Sequence, residues 1–241
     1  MMPNTSHRPF PLPKGPWMMA QTWNDVLFAH WPAEPELIRE KIPAALELET
    51  FNGKAWIGIL PFLLTNLRPR FLPPLPFFSR FPELNVRTYV TYRGIPGVYF
   101  FSLDAASRFA VLGARTFFRL PYYHAGMDFV HEGSRVRFSS RRPDGKAAFS
   151  VRYGAMSNSF TARKGTIEYW LTERYRLYTL QNSRIYYADI HHPQWRLQQA
   201  EADFSQNNAA SASGLTLADT APLLHYAKRQ HVVCWPLRRV R

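Results

Sequence analysis

The longest apolar run in the chain, Trp56 to Leu64, is interrupted by Pro61. A helix that crosses a bilayer needs about 20 consecutive apolar residues, so no segment is read as membrane-spanning. Proline, glycine and polar turns divide the sequence into short pieces, and many of them alternate apolar and polar residues with the period of two of a half-buried strand. With 46% hydrophobic and 15% aromatic residues, those pieces can still bury a sizeable core.

Gln21 to Trp31 reads as a strand. Pro32-Ala-Glu-Pro opens a short helix with Glu34 and Glu36 near its positive end, and Pro43 stops it. Asn52-Gly53, between LELETF and KAWIGILPF, signals a hairpin. Arg68 to Phe81 is too rich in proline for regular structure and reads as a rim or lid. LNVRTYVTYR and GVYFFSLDA follow as strands joined by Gly94-Ile-Pro-Gly97. In the first, Asn85, Arg87 and Tyr89 share one face, and Leu84, Val86, Thr88 and Val90 the other. Ser107 caps an expected helix from Arg108 to Phe117, with Phe109, Leu112 and Phe117 as its apolar face.

LPYYHAGMDFV, SRVRFSSRR and AAFSVRYGA read as strands, the last two around the turn Pro143-Asp-Gly145. A short helix after Gly165, strands at Tyr175 to Leu180 and Arg184 to Ile190, a helix from Gln194 to Ala202, a loop SQNNAASASG and a closing strand from Leu223 complete the chain. The expected fold is mainly β (α+β): an antiparallel barrel or cone with a few short helices. Residues 1–16 form a Pro-rich arm and 17–241 a single domain, since no repeat or composition break divides them.

The net charge of +13 raises the question of a nucleic-acid surface. The arginines are spread along the whole chain with no basic run beyond short pairs, which disfavours it. A single cysteine, Cys234, excludes an intrachain disulfide and a Cys-based zinc site, and points to the cytoplasm. It sits in an apolar tail and reads as core packing. No Gly-rich phosphate loop, nucleophile elbow or paired-histidine zinc signature occurs, so no cofactor or metal is expected. His191 and His192 are adjacent on a strand and point to opposite faces.

One block carries chemistry: GARTFFRLPYYHAGM, Gly113 to Met127. It is similar to the acetoacetate decarboxylase segment in which Gly-Arg is followed by an aromatic, then Pro-Lys-Lys, then a small residue. Arg115, Pro121 and Ala125 fit that frame, and FPELN places Glu83 where that family has an acid. TFNGKAWIGILPF, FPELNVRTYV, GVYFFSLDA, LPYYHA, LTERYRLY and HPQWRLQQAE resemble the YqjF-like family known as domain of unknown function 2071 over most of residues 20 to 237. The resemblance implies an antiparallel barrel with a central cavity, and self-association. The decarboxylase forms an imine on a lysine whose pKa a neighbouring ammonium lowers, which makes the amine nucleophilic. Here Tyr122 and Tyr123 stand at both lysine positions, and a phenol forms no imine.

The remaining groups suggest other chemistry. Arg87 and Arg115 suit a carboxylate or phosphate, with Asn85, Tyr123 and His124 as further ligand contacts. Glu83 and Tyr122 are the candidate catalytic pair, Glu83 acting as acid or base if burial raises its pKa. Alternation separates Tyr122 and His124 from Tyr123, and Tyr122 is the one expected in the cavity. The structural alternatives are an ion pair of Arg87 with Glu83 or Asp104 and core packing of the tyrosines. Glu173-Arg174 reads as a pair that ties down a turn. Two functions are compatible with these residues. One is a cavity for a small organic anion, a keto or acyl compound, that is bound or processed by imine-independent acid–base chemistry of a lyase or hydrolase-like kind. The other is a binding or scaffold module for an acidic partner, for which Ser134 to Arg142 would be the exposed basic loop.

Overall fold

The computed structural model describes residues 5–74, 79–182 and 184–240. Its elements in chain order are β1 (Met19–Ala33), α1 (Pro35–Arg39), β2 (Glu47–Leu48), β3 (Ala55–Pro69), β4 (Phe81–Tyr92) and β5 (Ile95–Ala105). Then come α2 (Arg108–Gly113), a π-helical turn (Ala114–Phe118), β6 (Tyr122–His124), β7 (Gly126–Glu132), β8 (Arg135–Arg141) and β9 (Ala148–Ala155). α3 (Ile167–Thr172), β10 (Arg176–Gln181), β11 (Arg184–His191), β12 (Gln198–Asn207), β13 (Leu223–Cys234) and β14 (Arg238–Arg239) complete it.

The hydrogen-bonded order runs β11-β10-β5-β4-β3-β1-β13, and β13 pairs again with β11, so the path of seven strands returns on itself. Most neighbours are antiparallel, as their short connections require. The exceptions are β10 beside β5 and β6 beside β5, which run parallel. At the β10–β5 seam the backbones crowd: a Cβ on Gly97 would stand 2.7 Å from the Tyr178 ring and 2.8 Å from the Arg176 carbonyl oxygen. Glycine is what permits that approach. From β13 an antiparallel extension, β12-β9-β8-β7, leaves the ring.

Period-two alternation gives β1, β3 and β4 two buried faces over their central residues. Val26 and Phe28 of β1, with Leu60 and Phe62 of β3, belong to a core inside the ring. Leu27 and Ala29 of β1, Ile57 and Ile59 of β3, and Leu84 and Val86 of β4 pack outward against Phe138, Phe149 and Val151 of the extension. A polar knot centred on Asp25 joins the two layers. It stands in the left-handed region (φ 50) where β1 bulges against β3. Its carboxylate accepts hydrogen bonds from Tyr226, from Lys228 Nζ (2.7 Å) and from His131 Nε2 (2.9 Å), and its carbonyl accepts one from Tyr153 (2.6 Å). Burial pushes that carboxyl up, but the donors outweigh it and hold it below the usual aspartate range.

Several sequence expectations need correction. Asn52 and Gly53 do make a tight turn, with positive φ at both residues and Phe51 bridged to Lys54. However, the segment before it, β2, pairs with β4 and not with β3. The β4–β5 turn is only Arg93-Gly94, again with positive φ at both positions, the backbone that suits a two-residue hairpin. Gln194 to Ala202 is not a helix: β12 begins at Gln198 and pairs with β9. Ser107 caps α2 by accepting from the Ala110 amide, but Phe109, Leu112 and Phe117 are about two-thirds exposed and form no buried face. In the proline-dense stretch, residues 75–78 lie outside the described residues. The N-terminal segment docks from His7 onward: Arg8 Nη1 donates to the Ile190 carbonyl (2.7 Å), and Tyr169 donates to the His7 carbonyl (2.6 Å).

Arg142 donates through Nε (2.9 Å) and Nη2 (2.6 Å) to Asp104 at the end of β5, and both side chains are buried. Removing one partner of such a pair leaves an uncompensated charge. Arg142→Met is expected to lower unfolding stability by about 3–5 kcal/mol in urea titrations. The Asp104→Leu, Arg142→Met double variant should recover most of the loss.

Candidate active site

Inside the ring lies a cavity of about 540 Å³. The pleat of β4 sends Phe81, Glu83, Asn85 and Arg87 into it in succession, while Leu84, Val86 and Val90 go to the outer core. The parallel pairing of β6 with β5 sets Tyr122 beside Leu103, and both line the cavity.

Glu83 is 4% exposed and accepts a hydrogen bond from the Tyr122 hydroxyl at 3.1 Å. Burial raises its carboxyl to about 8, overriding the hydrogen bonds from Tyr122 and Asn85, and the nearby Asp104 charge adds to the rise. At neutral pH Glu83 is therefore a protonated acid, with an O–H to donate. Burial and the adjacent Glu83 push the Tyr122 phenol well above its ordinary range, so it stays a donor.

Arg87 is buried, and among the described residues no carboxylate lies within ion-pair distance of it. Its Nη2 donates to the Leu171 carbonyl (3.2 Å) and, more weakly, to the Tyr89 hydroxyl (3.5 Å), and its Nε has no hydrogen-bond partner. The ion pair with Glu83 or Asp104 is not formed: Glu83 is with Tyr122 and Asp104 with Arg142. Tyr89 also meets His30 Nε2 at 2.6 Å. Burial, reinforced by Arg87, holds His30 well below the usual histidine range and hence neutral.

A second arginine, Arg174, also lines the cavity. It is paired with Glu49 and donates to the Trp170 carbonyl (2.6 Å). Its Nη2 is left without a partner, as are Asn85 Oδ1 and the indole Nε1 atoms of Trp23 and Trp195. Sequence reasoning missed Arg174, Trp23 and Trp195. Arg174 sits in a charged pair of the kind that usually closes a turn. Its neighbour Glu173 does so, accepting from Tyr175 and from the Trp195 amide (2.9 Å). Trp195 is hidden by the helical pattern of its segment. Trp23 has the inward phase of Phe28 only across the Asp25 bulge, which no simple alternation reveals.

The other expected ligand contacts stand elsewhere. Arg115 is exposed on the π-helical turn and donates to the Tyr122 carbonyl (2.6 Å) from outside the cavity. Tyr123 faces the opposite side of β6, with the Arg142 guanidinium 3.8 Å from its ring centre. His124 pairs with Ala105 and does not line the cavity. Among the described residues the lining contains no lysine. Among the described residues no group of three or more His, Cys, Asp or Glu stands together as a metal site. His192 lines the cavity, with burial pushing its ring down to about 3. Cys234 is buried in the lining, where burial raises its thiol to about 12. Among the described residues no helix is long and apolar enough to cross a membrane.

The raised Glu83 carboxyl has a defined effect on stability. The unfolded chain loses this proton near the ordinary value of 4.5 and the folded protein near 8. Between those pH values the folded state holds the extra proton, so stability falls as pH rises through that window and is level on either side. Glu83→Gln should remove the Glu83 share of the slope, gaining on the wild type by up to about 5 kcal/mol between pH 4.5 and 8. Denaturant titrations across that range check it.

A profile of an uncharacterized conserved protein family, DUF2071, matches residues 20–231. The YqjF protein of Bacillus subtilis (strain 168) is 57% identical over 229 residues, 95% of each chain. Among solved structures, acetoacetate decarboxylase from Legionella pneumophila superposes with a TM-score of 0.68 at 14% identity, covering 97% of this chain and 92% of that one. The enduracididine biosynthesis enzyme MppR gives 0.63 at 12% identity over 95% and 89% of the two chains. An acetoacetate decarboxylase-like enzyme from Sphingomonas wittichii gives 0.62 at 12% identity over 92% and 93%. With that fold, and with a family match over nearly its whole length, the chain belongs to the DUF2071 family.

Proposed function

We propose that the cavity binds a small organic acid, a keto or acyl compound, with Arg87 as its anchor and protonated Glu83 as its hydrogen-bond and proton donor. The observation that carries this reading is the unpaired Arg87. A buried cation without a counter-ion costs several kcal/mol, and a carboxylate bound at its free Nε would supply the missing charge and the missing acceptor together. Glu83 fits the same ligand, because a neutral acid donates to a carbonyl oxygen that an ionised one would repel. Tyr122 holds the carboxyl group in place for that donation.

Chemistry at this site is imine-independent. Among the described residues the lining holds no lysine, and tyrosines stand at both positions where the decarboxylase-like frame has its lysine pair. Proton transfer between Glu83 and a carbonyl or enol is what the remaining groups support. The alternative of an acidic macromolecular partner gains little from the structure. Ser134 to Arg142 is largely strand β8, not a loop. Arg135 pairs there with Glu201 and Asp203, and Arg137 with Glu132.

Titration calorimetry with acetate, butyrate, acetoacetate and benzoate tests the reading. Arg87→Met should weaken acid binding roughly tenfold or more without lowering the melting temperature, since the variant removes an uncompensated charge. Equal affinity in wild type and variant would overturn the proposal. Binding should also weaken above pH 8, where Glu83 ionises, and Glu83→Gln should abolish that dependence. Borohydride treatment with acetoacetate should leave the protein mass unchanged.

A further inference from the structure

The cavity's length and the placement of its polar groups say more about the ligand. Glu83, Asn85 and Arg87 face Phe62, Leu60 and Gly58 across the β3–β4 ladder. Beyond Glu83 the lining becomes mainly apolar, with Gln21 of β1 as a polar exception. Phe81 faces Leu64, and β3 then continues inward with Leu67 and Pro69, opposite Met19 of β1. The step from Leu64 to Leu67 breaks strict alternation, and Asn66 between them has φ 55. This bulge restores the inward phase and prolongs the apolar wall. From Leu60 to Pro69 the strand advances up to about 30 Å at ~3.3 Å per residue.

A volume of about 540 Å³ lies in the ~300–1,000 Å³ range that encloses drug-sized ligands, far more than a three- or four-carbon acid fills. Phe109 and Phe117 belong to the lining and are also about two-thirds exposed, so the cavity reaches the surface at an apolar rim. A short acid held at Arg87 would leave the apolar wall uncovered.

We infer that the ligand is an amphiphilic monocarboxylate: its head is held by Arg87, and a long aliphatic body runs along β3 toward the rim formed by Phe109 and Phe117. This rests on the acid-binding reading of the same cavity and specifies the class of acid. Each methylene buried on the wall should tighten binding about three- to fourfold. The other arginines of the lining, Arg174 and Arg176, are already paired with Glu49 and Asp189. A cavity with one uncompensated cation suits a single carboxylate, not a diacid.

The test is titration calorimetry of the unmodified protein with butyrate, hexanoate, octanoate and decanoate, below their micelle-forming concentrations. Affinity is expected to climb with chain length through octanoate at least, and Phe117→Asp at the exposed rim should weaken decanoate while leaving butyrate unchanged. Equal affinity along the series, or a decline from butyrate onward, would overturn the long-chain inference while leaving acid binding at Arg87 intact. Binding that climbs with length yet is indifferent to Arg87→Met would overturn the head-group assignment. No binding of any acid would bring down both readings.

Discussion

Strand β4 is buried on both faces, and the rest of the structure depends on its register. Its outward residues are clamped between the ring and the β7–β9, β12 extension, and its inward residues bring Glu83, Asn85 and Arg87 to the cavity. A slip of one residue would exchange the two sets. Glu83, Asn85 and Arg87 would enter the apolar layer between sheets, and Leu84 and Val86 would face the cavity. The penalty for burying those polar groups without partners is thus part of what fixes the strand, and through its ladders to β3 and β5 it fixes the ring.

The protein treats its buried charges in two ways. Asp25, Asp104 and Asp189 are saturated: side-chain donors from β7 and β13 surround the first, Arg142 holds the second, and Arg176 holds the third through two hydrogen bonds. These groups join separate elements, and each finds its charged partner within the fold. At Arg87 and Glu83 the pattern reverses. Arg87 has no counter-ion, Glu83 keeps its proton, and unpartnered polar atoms collect on the lining. These groups help to set the register of β4, yet the fold leaves them without a counter-ion or a full set of hydrogen-bond partners.

Much of this was legible in the sequence where one local rule acts alone. The alternation of LNVRTYV separates the cavity face of β4 from its core face, and the order of Tyr122 and Tyr123 sets one inside and one outside. The fold class followed from many short strands and a specific family resemblance. What remained illegible depended on irregular backbone or distant partners. Arg115 turns outward because α2 continues as a π-helical turn, which shifts every following side chain around the axis. Bulges at Asp25 and Asn66 change the phase of β1 and β3 partway along. β12 has a helix-compatible composition, yet β9 and β13 offer it a ladder, and pairing overrides propensity. Arg174 is remote in sequence from Glu49, and nothing local reveals that their pair borders the cavity.

Cys234 sits at the end of β13, against the β11 edge where the ring closes. It is the chain's single thiol, and it is buried in the cavity wall with Gln21 Nε2 beside its sulfur. That position makes it a natural reporter of what enters. A reagent that alkylates Cys234 in the native state has crossed the interior space, and an occupant lying along the wall shields the sulfur. The high thiol pKa keeps this labelling slow, so at a fixed pH and reagent concentration a change in its rate reports a change in occupancy of the interior.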